Sequence, residues 1–241
     1  MPPPAAPGAD LAKRYGLEAV PDNVRRLGQL VSRPDASTEE VTKLIGQDKD
    51  FTARLLRVAN PKADCEEDYT FTTVEEALQR TGMGIVLLVA MHAPLLRAVQ
   101  KTFHTMLAVE LKPLTAAMPI TGAHVLCEIS FAGKATGAAA LRLTTPTALE
   151  VAARVLGLPP AELGDVAMID DVIGELSNMV VGNFKSNLCD AGLNCKLSPP
   201  AISRTSDFSL RTSPGSLAER IGFHDPDFQL FVDLNVNPWC D

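Results

Sequence analysis

Apolar residues recur at helical spacing through the first third of the chain. Val24, Leu27, Leu30 and Val31 follow Pro21-Asp22 and precede Pro34, which predicts a short helix bounded by two prolines. Ser37 with Glu40 forms a capping-box signature ahead of Val41, Leu44 and Ile45, because hydroxyl and carboxylate can each satisfy an orphan amide at a helix start. Thr73 with Glu76 repeats the signature ahead of Ala77 and Leu78. Between them, Phe51 to Val58 predicts another amphipathic helix ended by Asn60-Pro61, and the acidic stretch Asp64 to Asp68 a loop. No strand pattern occurs in this part.

From Pro94 the pattern changes. Leu95, Leu96, Val99, Phe103, Met106 and Leu107 keep helical spacing, and short β-rich runs follow. His124 to Ser130 and Thr136 to Leu143, separated by a loop containing Gly133, predict a hairpin. Thr145-Pro146 reads as an N-cap with proline at the first helical position, and Gly157 as the matching C-cap. A long helical pattern runs from about Val166 to Ala191 and stops at Gly192, with strands expected over Cys195 to Ser203 and Phe228 to Val236. Hairpins interleaved with helices define an α+β layer. A helical segment over 1–92 and an α+β domain over 93–241 is the organisation this predicts.

Within the long helix, at about 100° per residue, Asp171, Glu175, Asn178, Gly182 and Lys185 fall in a stripe roughly 80° wide. Ile169, Ile173, Leu176, Val180 and Phe184 occupy the opposite side. One face is core, and the other presents two acids, an amide and a glycine on successive turns. A solvated polar face is the plain alternative. Asn178 is mildly unfavourable in a helix interior, and Gly182 costs about 1 kcal/mol against alanine there. The return expected for Gly182 is room for another backbone to approach, with Gly174 at the stripe's edge acting similarly.

Composition narrows the classes. The 241 residues are 46% hydrophobic and 21% charged with a formal net charge of −7, which suits a soluble globular chain of two modest domains and argues against nucleic-acid binding. Cys65, Cys127, Cys189, Cys195 and Cys240 form no CxxC pair, and with the four histidines they show no metal-ligand spacing. Reduced thiols in a cytosol fit that pattern, with Cys189 and Cys195 as core residues. The N-terminus lacks the features of a signal peptide, and the apolar run Ile85 to Met91 is short of the roughly 20 residues that span a bilayer. No membrane association and a cytoplasmic location are therefore expected. No Ser-His-Asp or Cys-His nucleophile is detectable.

Two family resemblances rest on quoted stretches. PDASTEEVTKLIGQDKDFTARLLRVAN (34–60) with TTVEEALQRTGM (72–83) resembles the opening helices of an HDOD domain, a helical module of bacterial signalling proteins; the second half of that domain has no counterpart in it. His224-Asp225, the only His-Asp dipeptide, lies outside the helical part and reads as a turn. A regulatory or partner-binding module is what this likeness implies.

DDVIGELSNMVVGNFKSNLCDAG (170–192) resembles the signature of the CheC, CheX and FliY phosphatases: an acid or Ser, a Glu one turn on, an Asn on the next turn, and a Pro downstream. Asp171, Glu175, Asn178 and Pro200 occupy those positions, in a single copy as in the CheX form. PLLRAVQKTFHTMLAVELKP (94–113), AALRLTTPTALEVAARVLG (139–157) and FQLFVDLNV (228–236) are similar to further CheX elements. The likeness implies a CheX-like antiparallel sheet packed with long helices, acting on the aspartyl phosphate of a CheY-like receiver. Asn178 would orient the attacking water and Glu175 would meet the receiver's phosphate-binding lysine, with Asp171, Gly182 and Pro200 in supporting contact with the substrate protein. No cofactor is expected on this chain, Mg²⁺ being carried by the receiver, and a homodimer is implied. The alternatives left open are a receiver-binding scaffold without hydrolysis and a flagellar-switch-like subunit, in which the Glu and Asn would be missing.

Overall fold

A computed structural model of the chain describes residues 22–31, 33, 35–60, 70–82, 84–114, 121–163, 165–210 and 216–237. The first helices are α1 (Asp22–Val31), α2 (Thr38–Gly46), α3 (Lys49–Ala59) and α4 (Val74–Thr81). Both capping boxes form: Glu40 donates its backbone N–H to Ser37 Oγ at 3.1 Å, and Glu76 donates its own to Thr73 Oγ1 at 3.2 Å. Asp48 caps α3 and Asn60 ends it. The acidic stretch expected as a loop, Asp64 to Asp68, lies outside the described residues, as do Pro34 and Pro61.

The central element is α5 (Gly84–Leu107). It joins the apolar run at Ile85 to Met91 to the helix expected from Pro94, so residues 92 and 93 sit inside one helix shared by both halves. Ile85 through Met91 are all buried, as a helix apolar on every side must be. By length and composition α5 is the one helix among the described residues that could cross a membrane, but 67% of its most apolar stretch is buried in the protein, which marks a core helix.

The C-terminal half forms one antiparallel sheet: β1 (Lys112–Pro113), β2 (His124–Gly133), β3 (Gly137–Thr144), β4 (Cys195–Leu197), β5 (Ala201–Thr205), β6 (Leu217–His224) and β7 (Gln229–Val236). The order is β1-β6-β7-β3-β2-β4, with β5 also on β2. α6 (Thr145–Leu156) and α7 (Val166–Asp190) complete the layer that α5 begins against one sheet face. Val125, Cys127, Ile129 and Phe131 of β2 point to that layer and are buried, and Phe131 meets Phe184 of α7 edge-on at 5.9 Å between ring centroids. The residue that caps α6 is Thr144 rather than Thr145, and Gly157 ends it in the left-handed region at φ 65°.

Two strand expectations change. The run from Cys195 to Ser203 splits into β4 and β5, because Pro199 and Pro200 have no N–H for the ladder. Ser198 bridges the break: its N–H donates to Ser130 O at 2.9 Å and its Oγ accepts the Ser130 N–H at 3.0 Å. β6 appears where no strand was expected. His224 ends it, and Asp225 makes the turn, its carboxylate accepting the amides of Asp227 and Phe228 at 2.9 and 2.8 Å.

The opposite sheet face carries a closed polar cluster. Buried Arg142 and half-buried Arg220 both donate to Asp233, at 3.2–3.3 Å and 2.5–2.7 Å respectively. Arg142 also donates to the Asp207 carbonyl at 2.9 Å and lies against His124, while Arg220 stacks over Phe208 at 4.0 Å. These contacts strap residues 206–210 across the sheet.

Candidate functional site

α7 is set by Asp165 at its start, whose Oδ1 accepts the Ala167 N–H at 2.9 Å, and by Ala191 and Gly192 at its end, the glycine at φ 83°. Its inner face matches the sequence pattern: Ile173, Leu176, Val180 and Phe184 are buried, and Ile169 is partly so. Two inner amides fasten it to α5. Asn183 Nδ2 donates to Thr102 Oγ1 at 3.2 Å, and Asn187 Nδ2 to the Pro94 carbonyl at 3.3 Å.

The outer face is open. Asp171, Glu175 and Asn178 are all exposed, and among the described residues none makes a side-chain hydrogen bond or ion pair. A carboxylate and an amide three residues apart thus stand side by side on one helix face with their hydrogen-bonding capacity unengaged. Lys185 and Gly182 are half-buried on the same stripe. At Gly182 a Cβ would meet nothing within 4 Å among the described residues.

Gly174 is buried, and a Cβ there would make only ordinary van der Waals contacts with side chains, 3.7 Å from Ile202 Cδ1 and 3.9 Å from Pro200 Cγ. Pro200 lies half-buried between β4 and β5, beside Gly174. One contact had no sequence signal, since its partners are 34 residues apart. Arg204 of β5 donates twice to Asp170, at 2.9 and 2.5 Å, and clasps the strand to the helix next to Asp171. That carboxylate raises the pKa of the Arg204 guanidinium, chiefly through the hydrogen bond.

Burial pushes the Cys127 and Cys195 thiols up, away from the thiolate. Cys189 is half-buried, and these three cysteines are unbridged. Among the described residues no group of three or more His, Cys, Asp or Glu side chains is placed to hold a metal.

The exposed pair stands on an α+β layer that shares its central helix with the helical module. Residues 125–224 match the family described as chemotaxis phosphatase CheX, and residues 17–118 match the HDOD domain, so the chain is CheX-like in its C-terminal part and HDOD-like before it. Among solved structures the chain is similar to the chemotaxis protein CheX from Vibrio vulnificus, at 22% identity and TM-score 0.53 over 61% of this chain and 99% of that one. It is similar to a CheC-like superfamily protein from Shewanella sp. PV-4, at 22% identity and TM-score 0.53 over 61% and 97%. A CheX from Desulfovibrio desulfuricans matches at 18% identity and TM-score 0.50 over 61% and 99%. At these identities the likeness concerns the fold. No curated protein sequence matches the chain.

Proposed function

We propose that this protein hydrolyses the aspartyl phosphate of a CheY-type response regulator, using Asn178 to orient the attacking water. The observation that carries the reading is the open pair on α7: Glu175 and Asn178 are exposed, adjacent and unengaged on a helix otherwise packed into the core. The CheX family match over 125–224 includes this helix.

An acyl phosphate is already activated, so the catalyst's task is positioning and charge stabilisation. A carboxamide both donates and accepts hydrogen bonds without titrating, which suits it to hold a water in line with the breaking P–O bond. Glu175 would meet the receiver's phosphate-binding lysine in a charge-assisted contact. Asp171 would touch the rim of the docked receiver, while Gly182, with no described atom within 4 Å of a Cβ built on it, would leave space for the partner's backbone. Mg²⁺ would come with the receiver, and the chain itself would need no cofactor. A homodimer working in the cytoplasm belongs to the same proposal.

The test is the phosphate lifetime of a panel of receivers phosphorylated by acetyl phosphate, with and without the full chain. A shortened lifetime that Asn178→Ala returns to the receiver's own rate supports the reading. Binding without any change in lifetime would instead identify a scaffold.

A further inference from the structure

The helical module touches the helix that carries the ridge. Gly28 of α1 packs on the C-cap of α7 so closely that a Cβ would lie 2.6 Å from the Ala191 carbonyl oxygen and 3.3 Å from the Ala191 Cβ. α5, which runs out of the module, holds α7 at Asn183 through Thr102 and at Asn187 through the Pro94 carbonyl. Thr102 is 1% exposed, so the Asn183 bond is made in the interior, on the side of α7 away from the ridge. A third tie fixes the module to the sheet: Arg54 of α3 donates to Glu219 of β6, and His92 of α5 lies 3.3 Å from the same carboxylate.

We infer that α1 of the helical module and the central helix α5 together brace the ridge, with Gly28, Thr102 and Asn183 as positioning residues that set the height and rotation at which Asn178 is presented. The inference rests on the phosphatase reading for its effect on rate, but its structural half stands apart from it. The geometry makes the brace sensitive. Side chains reach about 5–6 Å from a helix axis, so a rotation of ~10° about that axis moves a tip by about 1 Å. A misplacement of that size can cost on the order of 100-fold in rate. Asn183 lies five residues beyond Asn178, about 140° around the helix and ~7.5 Å along it, so its bond to Thr102 resists such a rotation from the inner side. The module's helices and the phosphatase layer share one hydrophobic core and are not joined by a free linker.

Full-length Thr102→Val, Thr102→Ser and Gly28→Ala variants test this. Two quantities are read: kcat and KM on a CheY-type receiver phosphorylated by acetyl phosphate, and backbone hydrogen exchange over residues 175–182. The brace predicts that Thr102→Val lowers kcat about tenfold or more with KM within about twofold, since the docking side chains are untouched. Thr102→Ser, which keeps the hydroxyl, retains the wild-type rate. Exchange over 175–182 rises in Thr102→Val and Gly28→Ala and stays unchanged in Thr102→Ser. Unchanged exchange in a folded Thr102→Val protein overturns the brace, as does equal loss of kcat in the Ser and Val variants. If Gly28→Ala does not fold, the Thr102 pair decides alone. If the wild-type chain leaves the receiver's phosphate lifetime unchanged, the phosphatase reading has failed, and the exchange measurement still judges the brace.

Discussion

Two polar constellations on this molecule put charged and polar side chains to opposite ends. On the outer sheet face, Arg142, Arg220, Asp233 and His124 are buried or nearly so, and every one of them has partners. On α7, Asp171, Glu175 and Asn178 are exposed, and none has a side-chain partner among the described residues. Burial with full satisfaction makes a clamp, because a charged group taken from water must find its hydrogen bonds within the protein. Exposure without satisfaction, on a helix whose other side is locked in the core, makes a surface able to offer those bonds to another molecule. Burial and partners separate the two.

The sharpest way to break the contrast is to open the clamp. Asp233→Ala removes a carboxylate that pairs with both Arg142 and Arg220, in a cluster whose Arg142 is 1% exposed. A loss of about 3–5 kcal/mol in unfolding free energy is expected in a denaturant titration. The ridge should respond in the reverse sense. Asn178→Ala should leave stability within about 0.5 kcal/mol of wild type, as an exposed site without partners allows. It should cut stimulated phosphate loss by on the order of 100-fold in the receiver assay. A ridge variant that unfolds the protein, or an Asp233 variant that does not, would erase the distinction.

How far each region could be read in the sequence follows from how local its interactions are. The capping boxes at Ser37 and Thr73, the hairpin and the amphipathic stripe of α7 are set by residues a few positions apart and form as expected, except that Gly133, expected in the hairpin loop, ends β2 paired with Cys195 of β4. β6 went unread because Glu219 and Arg220 give it the polarity of a loop. Their partners, Arg54 and Asp233, come from other elements. Ser198-Pro199-Pro200 does carry a local signal, and two residues lacking N–H in succession break the edge strand there. The Asp170–Arg204 clasp and the cluster around Arg142 are fixed only by the fold. Pro94 read as a starting point because proline is favoured there, yet the helix passes through it, supported on both sides by buried apolar residues. Spacing put Gly182 in the stripe and Gly174 at its edge with the same expected effect; the fold sets Pro200 beside Gly174 and no described atom within 4 Å of a Cβ at Gly182.

A smaller test compares glutamates. Glu175→Gln keeps the shape of the ridge and removes its charge, so the effect should fall on docking. KM for the phosphorylated receiver should rise about tenfold, the size of one lost charge-assisted hydrogen bond, with kcat changed far less. The salt dependence of KM should also flatten, since an exposed charge contact is screened by ions. An unchanged KM would remove Glu175 from the docking contact and leave Asn178 as the working group.

Glu76 is the exposed glutamate with the opposite disposition, and the effect expected from it is the smallest. Its carboxylate accepts the backbone N–H groups of Thr72 at 3.0 Å and Thr73 at 3.2 Å, and those bonds hold its pKa below the usual glutamate value. A lowered folded-state pKa means the carboxylate contributes stability above the ordinary glutamate range, about 4.3, and loses it as pH falls through the lowered value. Amide protection along α4 should therefore hold at neutral pH and decline on acidification below about 4. In Glu76→Gln, protection at neutral pH should be slightly lower, because a neutral amide is a weaker acceptor and a poorer match for the helix N-terminus, and this part of the acid response should vanish. Hydrogen exchange of the Thr72, Thr73 and Glu76 amides measured from pH 3 to 7 reads both changes. If wild-type and Glu76→Gln protection follow the same pH curve, the carboxylate does not engage those amides in solution, and Glu76 belongs with the open glutamates of the ridge.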